Sequence, residues 1–185
     1  MNGNRRFPDE PAGPFPEPPQ QFGIDDGRTV VIDRISLANG EVNEELIRMY
    51  EDFDSADRAQ GIPPIGRREI EQWLELILDE GPDVVARVDN RAVGHATLVP
   101  DDAGAFELAI FVHQDFRGRG IGRTLLRTLL GNATATGIER VWLTVERWNT
   151  VAINLYESVG FERIDCGSFE LEMTLRLDPH TARTG

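Results

Sequence analysis

A chain of 185 residues with 40% hydrophobic composition can bury one core and is short for two, so a single domain is expected. Its 32 acidic residues outweigh 19 basic ones, and a formal charge of −13 repels polyanions, which argues against nucleic acid as a partner. No run approaches the roughly 18 apolar residues of a membrane span or resembles a signal peptide, the single Cys166 excludes an internal disulfide, and His95, His113 and His180 are too scattered to ligate a metal; a cytoplasmic, metal-free protein with no membrane partner is expected. Six of the eleven prolines lie between Pro8 and Pro19, interleaved with Glu10, Gly13 and Glu17. That composition sustains neither helix nor ladder, so residues 1–26 are read as a disordered tail, or else as an arm lying on a partner subunit. The folded unit is read as 27–178, with 179–185 as a C-terminal tail.

Thr29 to Ile35 is β-branched and partly alternating, a first strand. Glu44 to Phe53 reads as a helix carrying Leu46, Ile47 and Tyr50 at helical spacing. After Gly61-Ile62-Pro63-Pro64, a second helix over Arg67 to Asp79 bears the stripe Ile70, Trp73, Leu74, Ile77 and Leu78, and Gly81-Pro82 ends it. Asp83 to Val88 and Ala92 to Val99 read as paired strands around the polar turn Asp89-Asn90-Arg91.

The second half is richer in signal. The strand Phe106 to Val112 is followed by Arg117-Gly118-Arg119-Gly120-Ile121-Gly122, and Ile121, Leu125, Leu126, Leu129 and Leu130 then recur on one helical face. Glycines admit close backbone approach, and a helix N-terminus presents unpaired N–H groups at the positive end of the dipole. Such a turn predicts a phosphate cradle, and Arg117, Arg119 and Arg123 add positive charge in an acidic protein. The alternating glycines do not match a Rossmann turn, and a chain without lysine has no P-loop. Val141 to Val145 is a further strand, Asn149 caps a helix over Thr150 to Val159, and Gly160-Phe161 stops it. Tyr156 lies seven residues after Asn149, two turns on, so the two share a face.

From Thr29 to Leu177 the chain resembles the GNAT superfamily of acetyl-CoA dependent N-acetyltransferases. The resemblance rests on Arg117 to Gly122, which fits the family's Q/R-x-x-G-x-G/A pyrophosphate loop, and on Asn149 followed by Leu155-Tyr156-Glu157-Ser158-Val159-Gly160-Phe161. It implies a mixed α/β (α+β) fold, a twisted, mostly antiparallel sheet of about six or seven strands with about four flanking helices. The fourth and fifth strands, Phe106–Val112 and Val141–Val145, would splay apart. Pantetheine would lie in that V against the backbone of Ile110, Phe111 and Val112, with Arg117 to Arg123 and Asn149 completing the acetyl-CoA site. Direct transfer to an amine is implied, with Tyr156 as the acid that protonates the departing thiolate and Val112 N–H serving the oxyanion.

The base is less directly indicated. In the branch that acetylates the N-terminal amine of a ribosomal protein, a glutamate occupies the position of Thr144. Glu107 is the chosen substitute, because the protein-lysine acetyltransferase branch carries a glutamate at a similar place; Glu146 is the second choice. Glu51, Asp52, Asp54 and Asp57 could attract a cationic acceptor or could form a solvated face, and Trp148 could wall the acceptor site or pack under the sheet. Three classes stay open: an N-acetyltransferase acting on a protein N-terminal, lysine or small-molecule amine, a silent acyl-CoA-binding module, and an interaction module built on the tail. A homodimer is compatible with each. Every one of the 19 basic residues is arginine. Codon bias alone explains missing lysine, but together with the acidic excess it points to a halophilic cytoplasm, where a Debye length of roughly 3 Å in molar salt screens self-repulsion.

Overall fold

The computed structural model describes residues 5–35, 44–58, 62–78, 80–164 and 169–179. Cys166 and His180 lie outside them. Strands β1 (Gln20–Gly23), β2 (Thr29–Arg34), β3 (Asp83–Val88), β4 (Arg91–Pro100), β5 (Phe106–Val112), β6 (Arg140–Glu146), β7 (Glu162–Ile164) and β8 (Glu170–Arg176) form one sheet in the order β1-β2-β3-β4-β5-β6-β8-β7. Every neighbouring pair is antiparallel except β5–β6. The helices are α1 (Glu44–Glu51), α2 (Arg67–Ile77), α3 (Ile121–Ala135) and α4 (Thr150–Val159). Eight strands replace the six or seven expected, because the arm itself adds β1. The splay expected between the fourth and fifth strands therefore falls between β5 and β6.

Each sheet face buries its own core. On one face, α3 and α4 cover Val84, Ala86, Leu98, Leu143 and Met173 with the predicted stripe Ile121, Leu125, Leu126, Leu129 and Leu130. On the other, α1 and α2 bring Leu46, Tyr50, Ile70 and Leu74 onto Val85 and Ala92, with Trp73 and Phe111 packed beside them. Asp89 and Asn90 both take positive φ, 49° and 60°, the geometry that a two-residue hairpin between β3 and β4 demands. The second core holds one buried polar chain. Tyr50 Oη lies 2.6 Å from His95 Nδ1, and His95 Nε2 lies 3.1 Å from Asp83 Oδ1. Burial pushes the Tyr50 phenol well above its ordinary value and the Asp83 carboxyl upward, so the network fixes α1 to β3 and β4 without exposing a charge.

The reading of residues 1–26 as a disordered tail is corrected over residues 5–26. Proline bars regular ladders but not docking of an extended arm, and this arm docks on its own domain. Ala12 N–H donates to Arg176 O at 2.8 Å, and Ala12 forms a parallel bridge with Leu177. Phe15 packs on the first core beneath Arg127, whose guanidinium lies 5.4 Å from the ring centroid, and Gln20 to Gly23 then pair with β2. The arm's backbone passes so close to α3 that a Cβ on Gly131 would sit 2.0 Å from Pro16 O. Gly131→Ala is therefore expected to expel the arm although alanine suits a helix better by about 1 kcal/mol. Limited thermolysin digestion reads this directly: cleavage between Phe7 and Phe22 should accelerate by about tenfold or more, equivalent to about 1.4 kcal/mol of docking.

Candidate active site

β5 and β6 pair over only two rungs, Phe106↔Val141 and Glu107↔Trp142, and then part. β6 is meanwhile held along its whole length by β8, from Arg140↔Arg176 to Glu146↔Glu170. His113 N–H donates to Val93 O at 2.9 Å, which sets the phase of the β4–β5 ladder. By alternation the peptide groups of Phe111 and Ala109 belong to β4; on the other side Leu108 is taken up in the last rung with β6, and the peptide groups of Ile110 and Val112 face the gap that β6 has vacated. Of the three predicted backbone contacts, Ile110 and Val112 are thus open to a ligand in the gap. Phe111 is not: its backbone is in the ladder, and its ring packs edge-on to Tyr50 in the second core, with centroids 5.5 Å apart.

The mouth of the gap leads to the glycine turn. After a short 3-10 turn, Gln114–Phe116, the chain enters α3 through Gly118 at φ 72° and Gly120 at φ 81°, left-handed conformations that favour glycine. A Cβ at either would meet nothing within 4 Å, so this side of the turn is open. The N–H groups from Gly118 to Arg123 find no backbone carbonyl among the described residues, and they converge at the positive end of a 15-residue helix. A diphosphate fits this donor set. Ile121 contributes only its N–H, since its side chain is buried. Gly122 sits between Val112 Cγ2 and Leu155 Cδ2, both 3.6 Å from a Cβ built on it, and so joins α3 to the strand and to α4.

The three predicted arginines differ. Arg117 Nε donates to Val112 O at 3.1 Å and shapes the turn. Arg119 Nη1 pairs with Asp26 Oδ2 at 2.5 Å, a tie to the arm that the sequence did not disclose; Arg28 holds the same carboxyl far below the usual range. Arg123 is exposed beside the cradle. Asn149 spends its side-chain oxygen on the cap of α4, accepting from Ala152 N at 3.2 Å.

Tyr156 and Glu107 stand on opposite faces of the sheet. Tyr156 packs on the first core with its ring 5.8 Å from Phe161, and its hydroxyl has no hydrogen-bond partner among the described residues. Burial pushes the phenol up to about 12. Glu107 shares the opposite face with Trp142, Thr144 and Glu146. Packing around its stem raises its carboxyl, Arg5 lowers it, and Asp101 and Glu170 raise it again, while the tip stays exposed. Glu146 stands opposite Glu170 in register, and Thr144 opposite Glu172.

The loop carboxylates expected either to attract an acceptor or to be solvated are largely engaged in the fold. Asp52 accepts from His113 Nε2 at 2.8 Å and pairs with Arg91 at 3.2 Å, and Asp54 caps the turn Ser55–Asp57. Glu51 lies 3.7 Å from Arg67. Trp148 is 68% exposed and does not pack under the sheet. A cavity of about 560 Å³ lined by Arg34, Asp83, Phe106 and Asn132 lies at the closed end of the gap and shares no residue with the cradle. Among the described residues, no three His, Cys, Asp or Glu side chains are grouped to hold a metal, and no helix is long and apolar enough to cross a membrane.

Residues 44–161 match the model of the acetyltransferase (GNAT) family, and the chain belongs to that family. It is similar to the ribosomal protein bS18 alanine N-acetyltransferase of Salmonella typhimurium, with 44% identity over 64 residues that cover 35% of this chain and 42% of that enzyme. Its fold matches the GNAT domain of S. lividans PAT with a TM-score of 0.72 at 16% identity, covering 86% of this chain and 97% of that one. An acetyltransferase of Salmonella typhimurium solved with acetyl-CoA matches with a TM-score of 0.64 at 22% identity, covering 80% and 94%. Acetyl-CoA is the co-substrate of this family of acyltransferases.

Two glycines separate backbone strain from space. Gly120→Ala is expected to cost about 1 to 2 kcal/mol, because a non-glycine residue pays that much in the left-handed region. Gly122→Ala should instead be neutral or stabilising by up to about 1 kcal/mol, because its Cβ meets only ordinary contacts and alanine suits a helix better than glycine. Thermal unfolding of the two variants checks the difference.

Proposed function

We propose that the chain is an N-acetyltransferase that acetylates a primary amine carried by a protein or peptide. The observation that carries this reading is the pair of open N–H groups at Ile110 and Val112, which leads into the N–H groups from Gly118 to Arg123 that find no backbone carbonyl among the described residues. When bound, acetyl-CoA supplies an activated acyl carbonyl and a thiolate leaving group. Val112 N–H is assigned to the carbonyl oxygen, Gly118 to Arg123 to the diphosphate, and Asn149 to the placement of α4 beside it. Glu107 takes the proton from the acceptor ammonium, directly or through a water, with Glu146 as the alternative base on the same face. Tyr156 holds a proton for the departing sulfur from the other face, and its phenol, pushed up to about 12, stays protonated throughout the neutral range. The similarity to an alanine N-acetyltransferase supports a peptide acceptor.

Acetyl transfer from acetyl-CoA to peptide amines, followed by release of free thiol, tests the reading. Tyr156→Phe is expected to lower kcat about 10- to 1000-fold with little change in the KM for acetyl-CoA. The loss should be uniform from pH 6 to 9, because a phenol at about 12 does not titrate there. Glu107 works as a base only when ionised, and its carboxyl is raised, so activity should fall as pH drops through that raised value. Glu107→Gln should remove this acidic limb; its retention there and loss in Glu146→Gln would move the role to Glu146.

The acidic excess supports a high-salt working environment in a cytoplasm. Raising KCl from 0.1 M to about 2 M shortens the Debye length from roughly 10 Å to a few ångströms. The melting temperature should then rise by at least about 5 °C, on the order of 1 to 2 kcal/mol for a chain of this size, and a neutral osmolyte serves as the control.

A further inference from the structure

The arm that reaches Asp9 along β8 does not stop there. Arg176 Nη1 donates to Asp9 O at 2.6 Å, and the next four residues toward the N-terminus turn onto the face that carries Glu107. Arg5 ends on a compact cation cage. Its guanidinium lies 3.6 Å from the centroid of the Trp142 ring, its Nη1 donates to Asp101 Oδ2 at 3.0 Å, and its Nε lies 3.1 Å from Glu172 Oε2. Two of its three walls are held without the arm. Asp101 accepts from Ala103 N at 2.9 Å, from Ala105 N at 2.8 Å and from Trp142 Nε1 at 3.0 Å. Trp142 is Glu107's partner in the last rung before β5 and β6 part, so the cage borders the point where the acceptor amine must arrive.

Two features mark the occupant as replaceable. Arg5 Nε is buried and makes no hydrogen bond, so its approach to Glu172 is close but misaligned. Asp9 and Ala12 are anchored to Arg176 by bonds that do not involve Arg5, so the four residues beyond Asp9 can leave while the rest of the arm stays docked. The arrangement also selects among cations. One face on an aromatic ring, one edge N–H donated to Asp101 and a second carboxylate close to the neighbouring edge suit a planar guanidinium better than a compact ammonium.

We propose that the Trp142, Asp101 and Glu172 cage is a specificity subsite for an arginine side chain flanking the acceptor amine, and that Arg5 of the arm occupies it as an intramolecular competitor. This rests on the reading of the gap as an amine-acetylating site, and it narrows the acceptor class to arginine-bearing peptides. Four residues span at most about 14 Å, so a released Arg5 stays near the cage at an effective concentration on the order of millimolar. An incoming arginine must outcompete it.

The test uses the full chain and the peptide Gly-Arg-Gly-Gly amide, with its citrulline analogue as the uncharged control. In calorimetry without acetyl-CoA, Arg5→Ala should bind the arginine peptide about tenfold more tightly than the parent, which is about 1.4 kcal/mol. The citrulline peptide should bind both proteins equally weakly. In turnover, the KM for the arginine peptide should fall by a similar factor, with the KM for acetyl-CoA unchanged. Arg5→Met, which keeps an apolar stem over Trp142 without the charge, repeats the measurement should Arg5→Ala lose its fold. Trp142→Leu in the Arg5→Ala background should abolish the gain. Equal or weaker binding of the arginine peptide by both Arg5 variants would overturn the proposal and leave Arg5 as a pin for the arm. Absence of acetylation by every variant would instead overturn the reaction reading, while the calorimetry still answers for the cage.

Discussion

Two parallel strands that hold together for only two rungs must find other partners for the backbone beyond, because buried peptide groups left without a hydrogen bond are costly. In this protein β6 solves the problem on one side by pairing with β8 over seven rungs. β5 solves half of it by pairing with β4, which leaves the alternate peptide groups beyond the last rung, at Ile110 and Val112, aimed into the gap. The remaining architecture follows from keeping that gap open. Gly122 brings α3 against Val112 at its mouth, α4 closes one face behind Tyr156, and Phe111 locks β5 to the second core on the other. A chain-like ligand that can pair with an extended strand and end in a diphosphate completes these unsatisfied groups.

Charge is distributed around that frame in two ways. Several arginines are committed to carboxylates on the surface, as Arg67 is to Glu44 and Glu71, where screening leaves each exposed pair little to contribute. A few tie distant segments together: Arg119 joins the cradle to Asp26, and Arg5 joins the arm to Asp101. His113, itself buried, joins the root of the cradle to Asp52 just after α1. The end of α1 is thereby coupled to the root of the glycine turn through hydrogen bonds rather than through apolar packing alone.

The local parts of this design were legible in the sequence because they rest on local rules. The stripe from Ile121 to Leu130, the glycines at 118 and 120, the cap at Asn149 and the stop at Gly160 each need only neighbouring residues. What could not be read depends on partners far along the chain. The arm looked disordered because proline excludes regular structure, and nothing near Pro16 indicates that Gly131 leaves room for its backbone. Phe111 was placed with Ile110 and Val112, since the phase of the ladder is set by a bond between His113 and Val93. Arg119 read as a free cation because its partner lies 93 residues away. The run of three arginines could have prompted a search for such a partner, but no spacing rule selects Asp26.

The central claim is that the open peptide groups of β5 and the N–H groups of the glycine turn form one continuous binding surface for coenzyme A. Amide hydrogen exchange of the full chain with and without saturating coenzyme A tests it residue by residue. The account predicts slowed exchange together at Ile110, Val112 and Gly118 through Arg123, with little change at Arg34 and Asn132 beside the other cavity. Unchanged exchange across the turn, or protection confined to that second cavity, would contradict it.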